Sequence, residues 1–322
     1  MKLTMRGLLG LSLGLVGVVA QAQFSLFAAE TTTGSLGGNT ALYGGIQQYN
    51  FATTGGAAVA GPGVDASLLH DPAGLRASGN SLYVGNRWGN QAGQGSVQEF
   101  TFDGTSLSFG QDITGNGLQR THGLDVNPIT GELVAVNAFS GGASRFSAPG
   151  FTANGVWNGG DWRDVIFSAD GTKAYVTELN TTIRVIDVAS GTSSTFGVAG
   201  ANAMHQMAWN NGSLYVTGFN SSSVHRVDLD ANGNPISSSV VANPTAAIGI
   251  AFSLDGQEMF VSGHTSNTIF RYLNNNGVWD ANGSIATGHN MGYLATVDAV
   301  PEPGTMMLLG LGGLAVLRRR RK

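Results

Sequence analysis

A pair of short β-strand patterns recurs five times along the middle of the chain, and this repeat constrains the fold more than any other feature. Each copy has an apolar strand, a turn rich in glycine or asparagine, and a second strand ending in valine. The valines that mark successive copies are 52, 40, 40 and 45 residues apart: Val84, Val136, Val176, Val216 and Val261. This spacing matches the roughly 40 to 50 residues of one β-propeller blade.

A third strand follows each pair, and its apolar and polar residues alternate as in a half-buried strand. The five third strands are 97–100, 144–146, 183–186, 224–227 and 269–272. Asp-Gly or Asn-Gly pairs mark several turns, among them Asp170-Gly171 and Asp255-Gly256, where glycine supplies the positive φ of a tight hairpin. These patterns predict an all-β fold.

The two ends of the repeat region predict how the ring closes. Residues 24–29 read as a second strand and residues 46–51 as a third, with no first strand before them. Residues 291–296 read as a first strand with no blade after it. If this segment pairs with 24–29, the chain closes a ring of six blades and leaves no open sheet edge. A ring of seven blades is the alternative.

The recurring Tyr-Val after a glycine turn, as in Tyr175-Val176 and Tyr215-Val216, resembles the NHL, YVTN and lactonase-like propeller families. The resemblance covers nearly all of residues 23–298 and implies a propeller of six or seven blades. Because these folds carry many unrelated functions, it implies a fold and not an activity.

The first 22 residues have the three parts of a secretory signal. Lys2 and Arg6 precede an apolar run that ends at Ala20, and Ala20-Gln21-Ala22 provides a small-x-small cleavage site. The apolar run is shorter than the roughly 20 residues of a spanning helix, which argues against a retained anchor. We therefore expect export through the Sec translocon and cleavage after Ala22.

The last 24 residues have the pattern of a second targeting signal. Pro301-Glu302-Pro303 precedes an apolar run over 306–317, and a basic cluster ends the chain: Arg318, Arg319, Arg320, Arg321 and Lys322. This order resembles the PEP-CTERM sorting signal of Gram-negative bacteria. The resemblance implies transient membrane insertion of the tail, processing by an exosortase, and a context of exopolysaccharide and biofilm. The predicted organisation is a signal peptide at 1–22, a propeller at 23–298 and a sorting tail at 299–322.

Charge and cysteine content exclude some classes of function. Removing seven basic residues at the two ends and Glu302 leaves 9 basic against 19 acidic residues, a net charge of −10 for the predicted propeller. Nucleic-acid binding needs a basic surface, so nucleic acid is not an expected partner. The chain has no cysteine, so neither a disulfide framework nor a cysteine nucleophile is available.

Three successive repeats carry a basic or metal-capable side chain at one equivalent position, four residues before the centre of the first strand. They are His122, Arg163 and His205, and His70 and His289 lie slightly farther upstream in two other repeats. Segments that enter the innermost strands surround one mouth of a propeller channel, so we expect these side chains to face each other. Converging imidazoles suit a transition metal, whereas Arg163 could orient a carboxylate or a sulfate, which leaves an anion or sugar site as the second possibility. The alternative is that each histidine bonds a neighbouring backbone carbonyl.

A second candidate is the segment Asp228-x-Asp230-x-Asn232-Gly233, which has oxygen ligands at the alternate positions of a calcium loop. The twelfth position is Ser239, where such a loop has glutamate. A hairpin turn is the alternative interpretation.

The sequence thus favours an exported, noncatalytic propeller at the cell surface or in the extracellular matrix, binding a polysaccharide or another surface protein. It contains no motif of a serine nucleophile, a phosphate-binding loop or a zinc helix. No cofactor is predicted, while a transition metal and calcium stay open. The alternative function is an exported metal-dependent lyase or hydrolase with its site at the channel mouth.

Overall fold

The structure, a computed structural model, describes residues 24–31, 44–87, 94–139 and 141–298. The predicted signal peptide with Ala20 and Ala22 and the sorting tail with Pro301, Glu302 and Pro303 lie outside these residues.

The described residues form 24 β-strands and one short 3-10 helix, Ala66–Leu68. The strands are β1 (Phe24–Glu30), β2 (Ile46–Phe51), β3 (Val59–Ala60), β4 (Pro72–Ser78), β5 (Ser81–Asn86), β6 (Ser96–Phe102), β7 (Leu107–Ile113), β8 (Thr121–Val126), β9 (Leu133–Asn137), β10 (Ala143–Ser147), β11 (Thr152–Trp157), β12 (Trp162–Phe167), β13 (Lys173–Glu178), β14 (Thr182–Asp187), β15 (Ser193–Gly197), β16 (Met204–Asn210), β17 (Ser213–Gly218), β18 (Ser223–Leu229), β19 (Pro235–Ala242), β20 (Ala247–Phe252), β21 (Glu258–Gly263), β22 (Thr268–Asn275), β23 (Val278–Ala286) and β24 (Met291–Asp298).

The strands form six four-stranded antiparallel sheets arranged as the blades of a propeller. Blades I to V contain β4–β7, β8–β11, β12–β15, β16–β19 and β20–β23, each in chain order from the innermost strand outward. Blade VI has the order β24-β1-β2-β3, so its innermost strand comes from the far end of the chain. Leu26 pairs with Thr296, and Phe24 pairs with Asp298. The predicted six-bladed closure is confirmed, and the seven-bladed alternative is wrong.

The turns between the first and second strands of a blade also join neighbouring blades. Gly171 and Gly256 have φ of 68° and 69°, which a side chain would strain. The carbonyl of Gly171 accepts a hydrogen bond from Asn127 Nδ2, and that of Gly256 accepts one from Asn210 Nδ2. Asn210 is the last residue of β16 and Asn127 directly follows β8, so the same contact joins two pairs of neighbouring blades.

The hydrophobic core is divided among the six interfaces between neighbouring blades. One buried cluster joins blades I and II around Phe146, and others lie between each further pair of blades. Two clusters flank the closing blade, one with Phe27 and one with Phe24. Phe24 stacks on Phe51 at 4.9 Å, which fixes the first described strand to its outer neighbour. The apolar repeat therefore stabilises the ring between its blades, and the central channel is left to other side chains.

Gln206 of β16 fills part of this channel and satisfies backbone groups that have no neighbouring strand. Its Oε1 accepts hydrogen bonds from the N–H groups of Ile250 and Leu294 at 2.8 and 2.9 Å. Its Nε2 donates to the carbonyls of Leu75 and Leu294 at 3.3 and 2.7 Å. One side chain thus connects the innermost strands of blades I, IV, V and VI.

Arg76 of β4 crosses the channel beside it. Its guanidinium donates to the carbonyls of Leu124, Val165 and Met207. The same group contacts Asp164 at 3.1 Å, and Asp164 in turn accepts the N–H of Met207 at 2.7 Å. We call Arg76, Asp164 and Gln206 the channel plug, because they separate the upper mouth, where the innermost strands begin, from the lower mouth, where they end.

Both ends of the described domain lie at the lower mouth. The innermost strand β24 runs toward that mouth and ends at Asp298, which pairs with Phe24. Residues before 24 and after 298 therefore connect to the propeller on the same side.

Replacing Gln206 by alanine is expected to lower the free energy of unfolding by about 3 kcal/mol or more. Four buried backbone groups lose their partner, and each such loss costs roughly 1–3 kcal/mol before any relaxation. The matched control is Gln111→Ala, where Nε2 donates only to the side chain of Glu99 among the described contacts. Urea unfolding of both variants measures the difference, and equal losses would contradict a structural role for the plug.

Candidate functional site

The upper mouth owes its shape to an irregularity near the start of every innermost strand. In all six blades the pairing register shifts within the first residues of that strand or opposite them. The residues at this shift are Ala73, His122, Arg163, His205, Ile248 and Gly292. A bulge of this kind redirects a side chain out of the regular alternation. The six positions therefore form the rim of the upper mouth.

The structure brings the two predicted histidines together across this rim. The rings of His122 and His205 lie 6.5 Å apart between centroids, with an interplanar angle of 29°. Each ring meets the edge of a phenylalanine, Phe139 for His122 and Phe219 for His205, at 6.3 and 6.0 Å. The two histidines are only 5% and 7% exposed. At this rim the two rings are therefore enclosed by their neighbours and do not lie on the outer surface.

Arg163 lies between these rings in sequence order and shares their surroundings. Its guanidinium carbon is 4.1 Å from the centroid of Phe139, and its Nη2 contacts Asp161 at 2.8 Å. Its carbonyl accepts a hydrogen bond from the hydroxyl of Tyr293 at 2.8 Å. The predicted trio of His122, Arg163 and His205 thus occupies one site, while its role in binding stays a prediction.

Several nitrogens in this mouth are buried without a hydrogen-bond partner in the described residues. They are both ring nitrogens of His122, Nδ1 of His205, Nε of Arg163 and Nε of Arg87. The alternative of simple bonds from these imidazoles to backbone carbonyls is therefore not what the structure shows for His122. Burying an unpaired polar group is costly, so these nitrogens are the groups that a ligand would satisfy.

Burial also sets the charge of the imidazoles. It lowers the pKa of His122 and of His205 well below the usual range, and the positive charge of Arg163 lowers both further. Both rings are neutral at pH 7, so each has one nitrogen that donates and one that accepts.

A third histidine, His264, joins the mouth and was missed by the sequence analysis. Its Nδ1 lies 3.2 Å from Thr31 Oγ1 and 3.1 Å from the carbonyl of Met291, and its ring packs against Phe219. It directly follows a second strand, and its N–H bonds the carbonyl of Ala246. The equivalent residues in blades I and IV are Arg87 and Phe219. In the sequence these residues share one signal, because each directly follows the second strand of its repeat.

The two upstream histidines occupy different surroundings. His70 is partly buried in the loop before β4, and its backbone N–H donates to Asn86 Oδ1. His289 is exposed in the loop before β24. Ile248 of β20 occupies the rim position in blade V, and its side chain has no polar atom to offer a ligand.

The segment proposed as a calcium loop forms the hairpin between β18 and β19. Asp230 accepts hydrogen bonds from the N–H groups of Asn232 and Asn234. Asp228 forms an ion pair with Arg226 at 2.8 Å. These contacts favour the interpretation as a turn over the calcium interpretation.

Neither candidate site has the ligand set of a metal centre. Within the described parts of the chain, no group of three or more His, Cys, Asp or Glu side chains is placed to hold an ion. The same residues contain no helix long and apolar enough to cross a membrane.

Comparison with known proteins gives a family match for the C-terminal tail and structural matches for the propeller. Residues 299–322 match the PEP-CTERM protein-sorting motif. No curated protein matches the chain. The solved structures that resemble it include the periplasmic gluconolactonase of Pseudomonas aeruginosa, with a TM-score of 0.62 and 17% identity over 86% of this chain and 99% of that one.

Two further solved structures show how widely the fold is shared. The nidogen/laminin complex matches with a TM-score of 0.65 at 9% identity, covering 85% of this chain and 99% of that chain. A β-propeller domain of Myceliophteria thermophila matches with a TM-score of 0.55 at 11% identity, covering 83% and 89%. At such identities the similarity shows the fold alone.

The sorting motif implies processing by an exosortase, and with it export and surface sorting in bacteria. The fold similarity adds the architecture of the part that is delivered. The chain is a six-bladed β-propeller that ends in a PEP-CTERM protein-sorting motif.

Proposed function

We propose that this propeller is a surface or matrix protein that binds an acidic sugar, as found in an acidic polysaccharide, at its upper mouth. The observation that carries the proposal is the set of buried, unpaired nitrogens on His122, Arg163 and His205. A carboxylate with neighbouring hydroxyl groups offers acceptors to the guanidinium and both acceptors and donors to neutral imidazoles.

The charges around the mouth support an anionic ligand. Arg87 pairs with Asp71 at 2.7 Å and Arg163 pairs with Asp161, while Arg120 lies over the ring of Phe139 at 5.2 Å. The positive charges of Arg163 and Arg87 also act on both buried imidazoles and lower their pKa values. Guanidiniums beside neutral imidazoles favour an anionic ligand at this mouth.

The rival function, a metal-dependent lyase or hydrolase, has less support. The mouth contains the imidazoles of His122, His205 and His264, but within the described residues no three metal-ligating side chains are placed to hold one ion. Metal analysis of the purified protein distinguishes the two functions, since stoichiometric zinc, iron or manganese would favour the enzyme.

Glucuronate is expected to bind the purified protein, with glucose as the neutral comparison. Arg163→Gln should weaken glucuronate binding by about tenfold or more, since a charged hydrogen bond contributes roughly 1.5–3 kcal/mol. Isothermal titration measures both affinities.

The matched control for this experiment is Arg184→Gln in the same blade. Arg184 also forms an ion pair, with Glu178 at 2.7 Å, but it lies on the third strand, away from the mouth. Equal binding of glucuronate and glucose, or equal loss in both variants, would overturn the proposed site.

The neutral imidazoles lead to a second expectation, about acid stability. The folded protein binds fewer protons at His122 and His205 than the unfolded chain, because their folded pKa values are lowered. Their contribution is therefore complete above about pH 6.5 and is lost as the pH falls below that value. Burial raises the pKa of Asp164 to about 7, which acts in the opposite direction.

We expect a His122→Gln and His205→Gln double variant to lose less melting temperature than the wild type between about pH 7.5 and 5. His289→Gln, at an exposed histidine, should follow the wild type. Asp164 is present in all three proteins, so its effect cancels in the comparison. If the double variant and the wild type respond equally to acid, the two rings are not neutral in the folded state.

The sorting function is tested at the tail. Replacing Pro301, Glu302 and Pro303 by alanine should leave the precursor membrane-bound and unprocessed, because the motif that an exosortase reads is lost. Cell fractionation with mass determination detects the retained tail. Asp298→Ala, one residue outside the matched motif, is the control, and normal processing of the triple variant would contradict the proposal.

A further inference from the structure

The lower mouth opens into a cavity of about 600 Å³, and none of the residues that line it belongs to the site at the upper mouth. The channel plug separates it from the imidazoles, and a volume of this size accommodates a small organic ligand. Its lining combines charged residues, Arg76 and Asp125, with aromatic and aliphatic ones, among them Trp209 and Phe252.

Asp125 has a carboxylate oxygen at this cavity that can accept a further hydrogen bond. The residue is only 9% exposed. Its Oδ2 accepts the N–H of Phe167 at 2.7 Å. Its Oδ1 lies 3.5 Å from Arg76 Nε, which is already donating to the carbonyl of Leu124 at 3.1 Å. A carboxylate oxygen can accept two hydrogen bonds, and this long contact with Arg76 leaves Oδ1 able to accept another.

The charges that line this cavity favour a cation. The guanidinium of Arg76 faces two carboxylates, Asp125 and Asp164, and donates to three backbone carbonyls besides. Asp255 adds a further carboxylate to the lining, whereas Arg76 is the only basic residue among the described residues that line it. This cavity therefore disfavours anions and favours a donor with positive charge.

The walls suit an apolar stem attached to that donor. The indole N–H of Trp209 donates to the carbonyl of Phe167 at 2.7 Å, so the ring offers its carbon atoms to the cavity. Phe252 and Ile250 continue the apolar wall, and Leu254, 49% exposed, lies at its edge. An aromatic wall also attracts a cation at short range.

We infer that the lower mouth is a binding site for a small primary amine on an apolar stem. The ammonium group donates to Oδ1 of Asp125, and the stem lies along Trp209 and Phe252. This site is independent of the acidic-sugar site, which lies on the other side of the channel plug and selects the opposite charge.

The experiment titrates hexylammonium into the full-length protein and follows the indole N–H resonance of Trp209 by NMR, assigned with Trp209→Phe. We expect a saturable shift with hexylammonium, a much weaker response to hexanol, and none with hexanoate. Asp125→Asn should weaken hexylammonium binding by about tenfold or more, since it removes the charge while leaving an acceptor for Phe167.

Asp170→Asn is the matched control, because Asp170 is an exposed acid in a turn on the same side and does not line the cavity. It should bind hexylammonium as the wild type does. Equal affinity for hexylammonium and hexanoate in the wild type would overturn the inference even if Asp125→Asn fails to fold. Unchanged binding by a folded Asp125→Asn, or loss only in Asp255→Asn, would overturn the role of Asp125. Glucuronate serves as the separate probe of the upper mouth and should leave the Trp209 resonance unmoved.

Discussion

The whole ring depends on satisfying the inner edges of six β-strands that have no further strand to pair with. A backbone N–H or carbonyl buried there without a partner would cost more than the ring can spare. Gln206 and Arg76 satisfy several of these groups each, Tyr293 donates to one carbonyl, and Thr217 donates to two. The centre of the molecule is therefore polar, while its apolar cores lie between the blades.

The same requirement explains the glycines next to the plug. A Cβ on Gly123 would come within 2.0 Å of Asp164 Oδ1, and one on Gly74 within 1.8 Å of the carbonyl of His122. Innermost strands approach each other so closely that side chains larger than hydrogen are excluded at these positions. The channel plug is consequently surrounded by innermost strands that pack directly on each other.

The repeat in the sequence predicted the strands, the blade count and the pairing of the two chain ends, because each depends on a local pattern or on spacing. It also predicted that His122, Arg163 and His205 share a mouth, since equivalent positions in successive blades meet around one axis. It could not predict the plug or His264. Asp164 and Gln206 directly follow the equivalent rim residues Arg163 and His205, but Arg76 lies at a different position of its strand. The hydrogen bonds of all three depend on side-chain reach across the channel, which the repeat does not specify.

Both ends of the described propeller leave from the lower mouth, because β24 ends beside the start of β1. Asp298 continues directly into the sorting motif. A force or a tether applied through either end of the propeller therefore acts on blade VI at the lower mouth, where β1 and β24 are paired. The rim residues His122, Arg163 and His205 lie at the opposite end of the channel, in other blades.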